Sequence, residues 1–318
     1  MTIPKEIKDS GLSVAYSVAF SPDGKHLLSA GGNGIRQWQV SDGREVWRSF
    51  NDDSVYAIAL SRDHKWIVSG SRKGTSVWDA KSHDKVHDIG SSSIVLTVDI
   101  SSDSTKFATG TGSTGTDSNS VNIWDITTGE RLVGPLNHNG SVRVVGVKFS
   151  PSGNHIATLT RNHRIRVFNS KNGDQLIEIE NQIPSWSAIT PIIWPSDGQL
   201  FALSTGGKIK CFDTSTGSQL AEWKIHDDSN LMSIAISANN KFITSSAGPF
   251  VSFWDTSTYT QLGNVLKDVD QIRSVALSPD GTRLATGGYN NKITIWNLRG
   301  ILPESYLPIP ASATFPDV

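Results

Sequence analysis

Arg161, His163, Arg164 and Arg166 form the clearest local cluster of basic side chains, and such a cluster could grip a carboxylate or a phosphate. Arg72 and Lys73 add a smaller basic patch, and His83-Asp84 and His87-Asp88 each set an imidazole beside a carboxylate, the residue types of metal and general-base sites. Gly31-Gly32-Asn33-Gly34 and Gly110-Thr111-Gly112 superficially resemble phosphate-cradling loops. Each meets a physical objection. Arg164 and Arg166 alternate along a strand, which reads as an ordinary solvated face. The two histidine pairs flank a turn and read as exposed. Neither glycine run is followed by a helix, so no helix N-terminus would face a phosphate. No nucleophile elbow, phosphate loop or zinc-ligand spacing occurs. Cys211 is the sole cysteine, which rules out an intramolecular disulfide and fits a reducing compartment.

The chain has 318 residues, with 29 Lys+Arg against 30 Asp+Glu and a formal net charge of −1. That balance argues against nucleic acid or an anionic membrane as the principal partner. The start, Met1 to Glu6, lacks the apolar region of a signal peptide, and no apolar run approaches the ~18 residues of a spanning helix. The expectation is a cytoplasmic or nuclear protein with no membrane partner.

The elements that would position these residues follow from a repeat. An aromatic residue followed by Asp, Asn or Gln recurs as Trp38-Gln39, Trp78-Asp79, Trp124-Asp125, Phe168-Asn169, Phe212-Asp213, Trp254-Asp255 and Trp296-Asn297. The spacing is that of one propeller blade, roughly 40–45 residues. A turn marker keeps step, from Ser21-Pro22-Asp23-Gly24 to Ser278-Pro279-Asp280-Gly281; some copies lack Pro or Gly, so their turns are free to differ in type. A third marker follows the aromatic, as in Ser41-Asp42-Gly43-Arg44, although Ser82-His83-Asp84 and Thr258-Tyr259-Thr260 stand there in two copies. Between markers lie short β-rich runs such as Val14–Phe20 and Ile272–Leu277, and no window shows convincing helical periodicity.

On these three markers the sequence resembles the WD40-repeat (WD-repeat) family over roughly residues 11–299. The resemblance implies an all-β fold: a seven-bladed WD40-type β-propeller with four antiparallel strands, a to d, in each blade. It also implies a relay from the strand-c Trp indole to a strand-b hydroxyl and on to a His before strand a. Ser29, Ser69, Thr109, Ser245 and Thr286 stand at the hydroxyl position in the Trp blades; Leu203 stands there beside Phe212, and Thr158 remains beside Phe168. A buried indole N–H needs an acceptor and a phenyl ring does not. Only His138 and His226 fall in the His slot, so no complete relay is expected in any blade.

A ring must close or expose two sheet edges. Residues 2–8 are expected to supply the outer strand of the last blade, giving one propeller over residues 1–300 and a Pro-bearing tail over 301–318. Residues 111–119 form a Gly/Ser/Thr-rich insertion in blade three, expected to be a mobile loop. Trp47 and Trp66 are expected between blades, Trp194 in the core, and Trp186 in an unusual loop between blades four and five.

The functional expectation is a non-catalytic scaffold for protein–protein interaction, binding a peptide or protein surface on the face built from d–a and b–c loops. Candidate contacts are Trp186, Arg161, His163, Arg164, Arg72, Lys73, Asp52, Asp53 and Tyr289. No cofactor, metal or catalytic residue is expected. The partners are proteins or peptides, and the chain acts as a monomeric ring or as a subunit of a larger complex. Two rivals remain: a propeller enzyme with a central-channel site, which would need acids or histidines on strands a, and an RNA-binding propeller using the blade-four cluster.

Overall fold

A computed structural model describes residues 5–8, 14–49, 53–112, 120–140, 142–182, 191–196, 198–226, 231–289 and 292–308. Within them lie seven four-stranded antiparallel sheets, and the only helical element is a 3-10 turn at Glu304–Tyr306. Blade one is typical, with strands a to d at Ala15–Phe20, His26–Gly31, Gly34–Gln39 and Glu45–Arg48. Each strand a packs against the strands a of the neighbouring blades, so these strands form the inner ring.

The ring closes as expected. Lys5–Lys8 pairs antiparallel with strand c of blade seven (Lys292–Asn297), Ile7 opposite Ile293, and Ile7 is buried among Val18, Trp38 and Ile295. Residues 2–4 lie outside the described residues, as does most of the blade-three insertion, 113–119.

Strand a is the inner edge of each sheet, and an edge leaves alternate amides unpaired by the ladder. Hydroxyls of the preceding blade satisfy several of them. Ser274 Oγ accepts the Val18 N–H at 3.1 Å across the closure seam, Ser17 Oγ accepts Ile58 N–H at 3.4 Å, Thr97 Oγ1 accepts Val147 N–H at 3.2 Å, and Ser233 Oγ accepts Val275 N–H at 3.2 Å. Blade contact also requires small residues on strand b. A Cβ at Gly287 would lie 2.9 Å from Val18 Cγ1, and one at Gly110 2.7 Å from Val144 Cγ1.

The indole half of the relay is present in all five Trp blades. Trp38 donates to Ser29 at 2.9 Å, Trp78 to Ser69, Trp124 to Thr109 and Trp254 to Ser245 at 3.0 Å, and Trp296 to Thr286 at 3.3 Å. In blade four, Thr158 pairs instead with His138 Nε2 at 3.0 Å, while His138 Nδ1 donates to the Leu136 carbonyl at 2.9 Å and the imidazole packs against Phe168. In blade seven a carboxylate stands in for the imidazole. Asp268 occupies the slot before strand a and accepts from Thr286 at 2.5 Å, so indole, hydroxyl and carboxylate run in series. His226 stacks on Phe250, with ring centroids 5.7 Å apart.

The a–b turns also proved more uniform than their sequences. The left-handed position is held by Gly24, Gly153 and Gly281, but equally by His64, Ser104 and Asn240, with φ between 57° and 72°. What they share is a serine whose Oγ accepts the amide five residues on, as Ser21, Ser61, Ser101, Ser150, Ser237 and Ser278 do.

Residues 301–308 fold back over blade six. Leu302 and Leu307 are buried in its cluster with Phe242 and Phe253, Lys241 Nζ donates to the Ser305 carbonyl at 2.9 Å, and the Tyr306 hydroxyl donates to Asp255.

Candidate protein-binding face

Antiparallel pairing sends strand b to its end where strand a begins, so the d–a connections and b–c turns share one face. Backbone bonds tie the two together: Arg72 N–H reaches Ser54 O, Gly112 N–H reaches Ile94 O, Arg161 N–H reaches Arg143 O and Tyr289 N–H reaches Gln271 O, at 2.9–3.4 Å.

Strand a carries a bulge near its start in six blades, and the unpaired residues are Tyr16, Tyr56, Leu96, Val145, Met232 and Arg273. A bulge re-aims its side chain out of the pleat. Val145 and Met232 are buried, whereas Tyr16, Tyr56, Leu96 and Arg273 are half-buried at the mouth of the inner ring. Tyr16 and Tyr56 pack with centroids 5.1 Å apart. The Arg273 guanidinium lies 5.4 Å from the Tyr16 ring centre and 5.0 Å from that of Tyr289, and donates to the Tyr289 hydroxyl. Burial, reinforced by the neighbouring Tyr56, raises the Tyr16 phenol above its ordinary value. Further round, Arg143 lies over Gly112 beside Leu96, and burial together with Arg161 lowers its guanidinium from the usual value.

The sequence-predicted contacts distribute unevenly over this face. Trp186 and Asp52 lie outside the described residues. Tyr289 is 41% exposed and joins the Arg273 group, and Arg161 stands beside Arg143. His163 is exposed on the same blade-four turn, and Arg72 and Lys73 are exposed on the blade-two turn. Asp53 is only 7% exposed, with its oxygens accepting the Ser54 and Lys73 amides at 3.0 and 3.1 Å. Arg164 and Arg166 do not line the channel. They sit on strand c of blade four (Arg164–Asn169) and meet strand d through Glu178 and Glu180, at 3.2 Å for Arg164–Glu180 and 2.8 Å for Arg166–Glu178.

Tyr16, Tyr56, Arg273 and Arg143 were not singled out from sequence. The signal was present, since the residue before Ser17, Ala57 and Ser274 is Tyr, Tyr and Arg. What was hidden is the bulge that turns those positions toward one another. His83 and His87 are likewise not merely solvated: His83 stacks on Trp47 at 4.5 Å and bonds Gln37 at 2.8 Å, and His87 Nε2 donates to the Thr127 carbonyl of the next blade at 2.8 Å.

On the opposite face the a–b turns of blades seven and one border a cleft of about 500 Å³ lined by Pro22, Lys25, Pro279 and Arg283. Its carboxylates, Asp23 and Asp280, are held within their own turns by Ser21 and Ser278. Among the described residues no group of three His, Cys, Asp or Glu side chains could hold a metal ion, and no helix is long and apolar enough to cross a membrane.

A closed seven-bladed β-propeller with an aromatic and cationic mouth is the class these features define. The family described as "WD domain, G-beta repeat" matches residues 7–39, 45–79, 131–169 and 261–297. Together with the seven repeating sheets, this places the chain in the WD40-repeat family. Over 68 residues it is 37% identical to an intraflagellar transport protein 122 homolog of Xenopus tropicalis, covering 21% of this chain and 6% of that protein. Over 74 residues it is 27% identical to the small ribosomal subunit protein RACK1z of Arabidopsis thaliana, covering 23% of each. The matched stretch thus spans less than a quarter of either relative.

Proposed function

We propose that the protein is a non-catalytic WD40 platform that holds a peptide or protein surface on the face built from d–a connections and b–c turns. The observation that carries this reading is the convergence of Tyr16, Tyr56, Tyr289 and Arg273 at the mouth of the inner ring. Tyrosine and arginine are the residue types that dominate binding energy at interfaces. A rigid ring holds them, so little ordering entropy is spent on binding. The relatives support the same direction: one is named as a protein of the small ribosomal subunit and the other as an intraflagellar transport protein.

A channel enzyme finds little support. On the described strands a, the one carboxylate is Asp99, and it is held by Lys148 Nζ at 2.6 Å and the Phe149 amide at 2.8 Å. An RNA-binding blade four is disfavoured because Glu178 and Glu180 offset Arg164 and Arg166. The compartment we favour is cytoplasmic or nuclear.

The test is a photo-crosslinking residue placed at Tyr289, compared with one at Ser41 in the c–d turn of the opposite face. Protein adducts are expected from position 289. Adducts from position 41 alone, or from neither, would remove this face as the docking surface.

A further inference from the structure

We propose that the mouth selects an acidic peptide segment, with Arg273 and Arg143 receiving its carboxylates between the tyrosine rings. This rests on the docking face proposed above and adds the chemistry of the partner. Elsewhere the half-buried and buried arginines have acidic partners: Arg36 pairs with Glu45 at 3.1 Å, Arg166 with Glu178 at 2.8 Å, and Arg299 with Glu304 at 2.9 Å. Among the described residues, Arg273 and Arg143 form no such pair, and the Nε atom of each is buried without a hydrogen-bond partner. A guanidinium partly removed from water and lacking an anion is costly, and a carboxylate supplied from outside relieves that cost with a charge-assisted, bidentate contact.

Both side chains are also held in place. Arg273 is clamped between Tyr16 and Tyr289. Arg143 packs its aliphatic stem over Gly112, where a Cβ would come within 2.3 Å of Arg143 Cγ. The buried blade-seven acid nearby, Asp268, is committed to the fold through Thr286. The rings of Tyr16 and Tyr56 then supply flat apolar walls for the stems of incoming Glu or Asp residues.

The experiment is fluorescence anisotropy with a fluorescein-labelled peptide of alternating Glu and Ser, a matched Lys/Ser peptide, and a labelled single-stranded RNA. The Glu peptide is expected to bind the whole chain and to weaken about tenfold in Arg273→Gln and in Arg143→Gln, with a further loss in the double variant and at high salt. Arg44→Gln, in the exposed c–d turn of blade one on the opposite face, is expected to leave binding unchanged. Melting temperatures of the variants verify that the ring is intact. Wild-type affinity for the Glu peptide in both mouth variants, or binding of the RNA or Lys peptide in preference, would overturn the proposal. If crosslinks from position 289 persist undiminished in the double variant, the acidic selectivity falls while the docking face stands. If the crosslinker at position 289 yields no adducts with both arginines in place, both fall.

Discussion

Tyr259 holds a left-handed backbone, φ 60°, and lays its ring on Trp223 of the preceding blade with centroids 4.7 Å apart. His83 repeats the arrangement on Trp47, with φ 65° and a centroid distance of 4.5 Å. The equivalent c–d turn position is glycine in blades one, three, four and five, and at Gly129, Gly173 and Gly217 an added Cβ would press on strand d of the blade before, at 2.9 Å in each case. Two blades therefore trade the conformational ease of glycine for an aromatic stack between blades. Tyr259→Ala keeps the strained backbone and loses the ring, whereas Tyr259→Gly loses the ring but relieves the strain. Alanine is expected to be less stable than glycine by about 1 kcal/mol, with both below the wild type in chemical denaturation. Equal stability of the two variants would contradict this trade.

Asp268 gives a second prediction. It is 8% exposed and anchors the blade-seven relay through Thr286. Asp268→Ala leaves the Thr286 hydroxyl without its acceptor and should cost about 1–3 kcal/mol. The cost should be non-additive with Thr286→Val, because both changes break one network. Additive melting-temperature losses would show that the two residues act separately.

His138 predicts a pH dependence. Burial lowers its pKa from 6.5 to about 4, against the raising effect of its bond to the Leu136 carbonyl, and Arg166 adds to the lowering. The folded value lies below the unfolded one. Its contribution is therefore complete above about pH 6.5 and is lost as pH falls toward about 4, amounting to about 3 kcal/mol in full. Burial shifts His83 in the same direction. Stability should fall between about pH 6.5 and 4 in the wild type, and less steeply in His138→Gln. Parallel profiles would show that His138 does not carry the effect.

How much of this could be read beforehand depends on whether a position repeats. The indole–hydroxyl pairs and the closing strand were legible because aromatic and hydroxyl residues recur at fixed intervals. Asp268 was not, because a carboxylate replaces the imidazole and only its place in space shows the equivalence. The mouth residues were half legible. Tyr289 and Arg161 stand in turns where polar residues draw notice, whereas Tyr16, Tyr56 and Arg273 sit inside strands and are brought together only by bulges from three blades. The ion pairs of Arg164 and Arg166 depend on the register between strands c and d, which the basic cluster alone does not reveal.

The segment after blade seven should behave as part of the ring. The bond to Asp255, followed by burial, raises the Tyr306 phenol above its ordinary value. That bond should hold below about pH 10 and be lost as pH climbs beyond it. Tyr306→Phe is expected to cost about 1 kcal/mol and Leu307→Asp more, with faster amide exchange over residues 301–308 in both. Exchange rates unchanged in Leu307→Asp would mean that the segment does not pack on blade six.

Blades seven and one contribute Arg273, Tyr289 and Tyr16 to the mouth, and the strand Lys5–Lys8 locks the last blade beside the first. Burying a carboxylate there by Ile7→Asp, or deleting residues 1–8, should cost about 3–5 kcal/mol. The direct measurement is the melting temperature of the Ile7→Asp variant beside the wild type, with Glu-peptide binding followed on the same samples. A drop of about 5 °C or more, accompanied by weaker binding, is the predicted result. A melting temperature and affinity indistinguishable from the wild type would show that the ring does not depend on this strand.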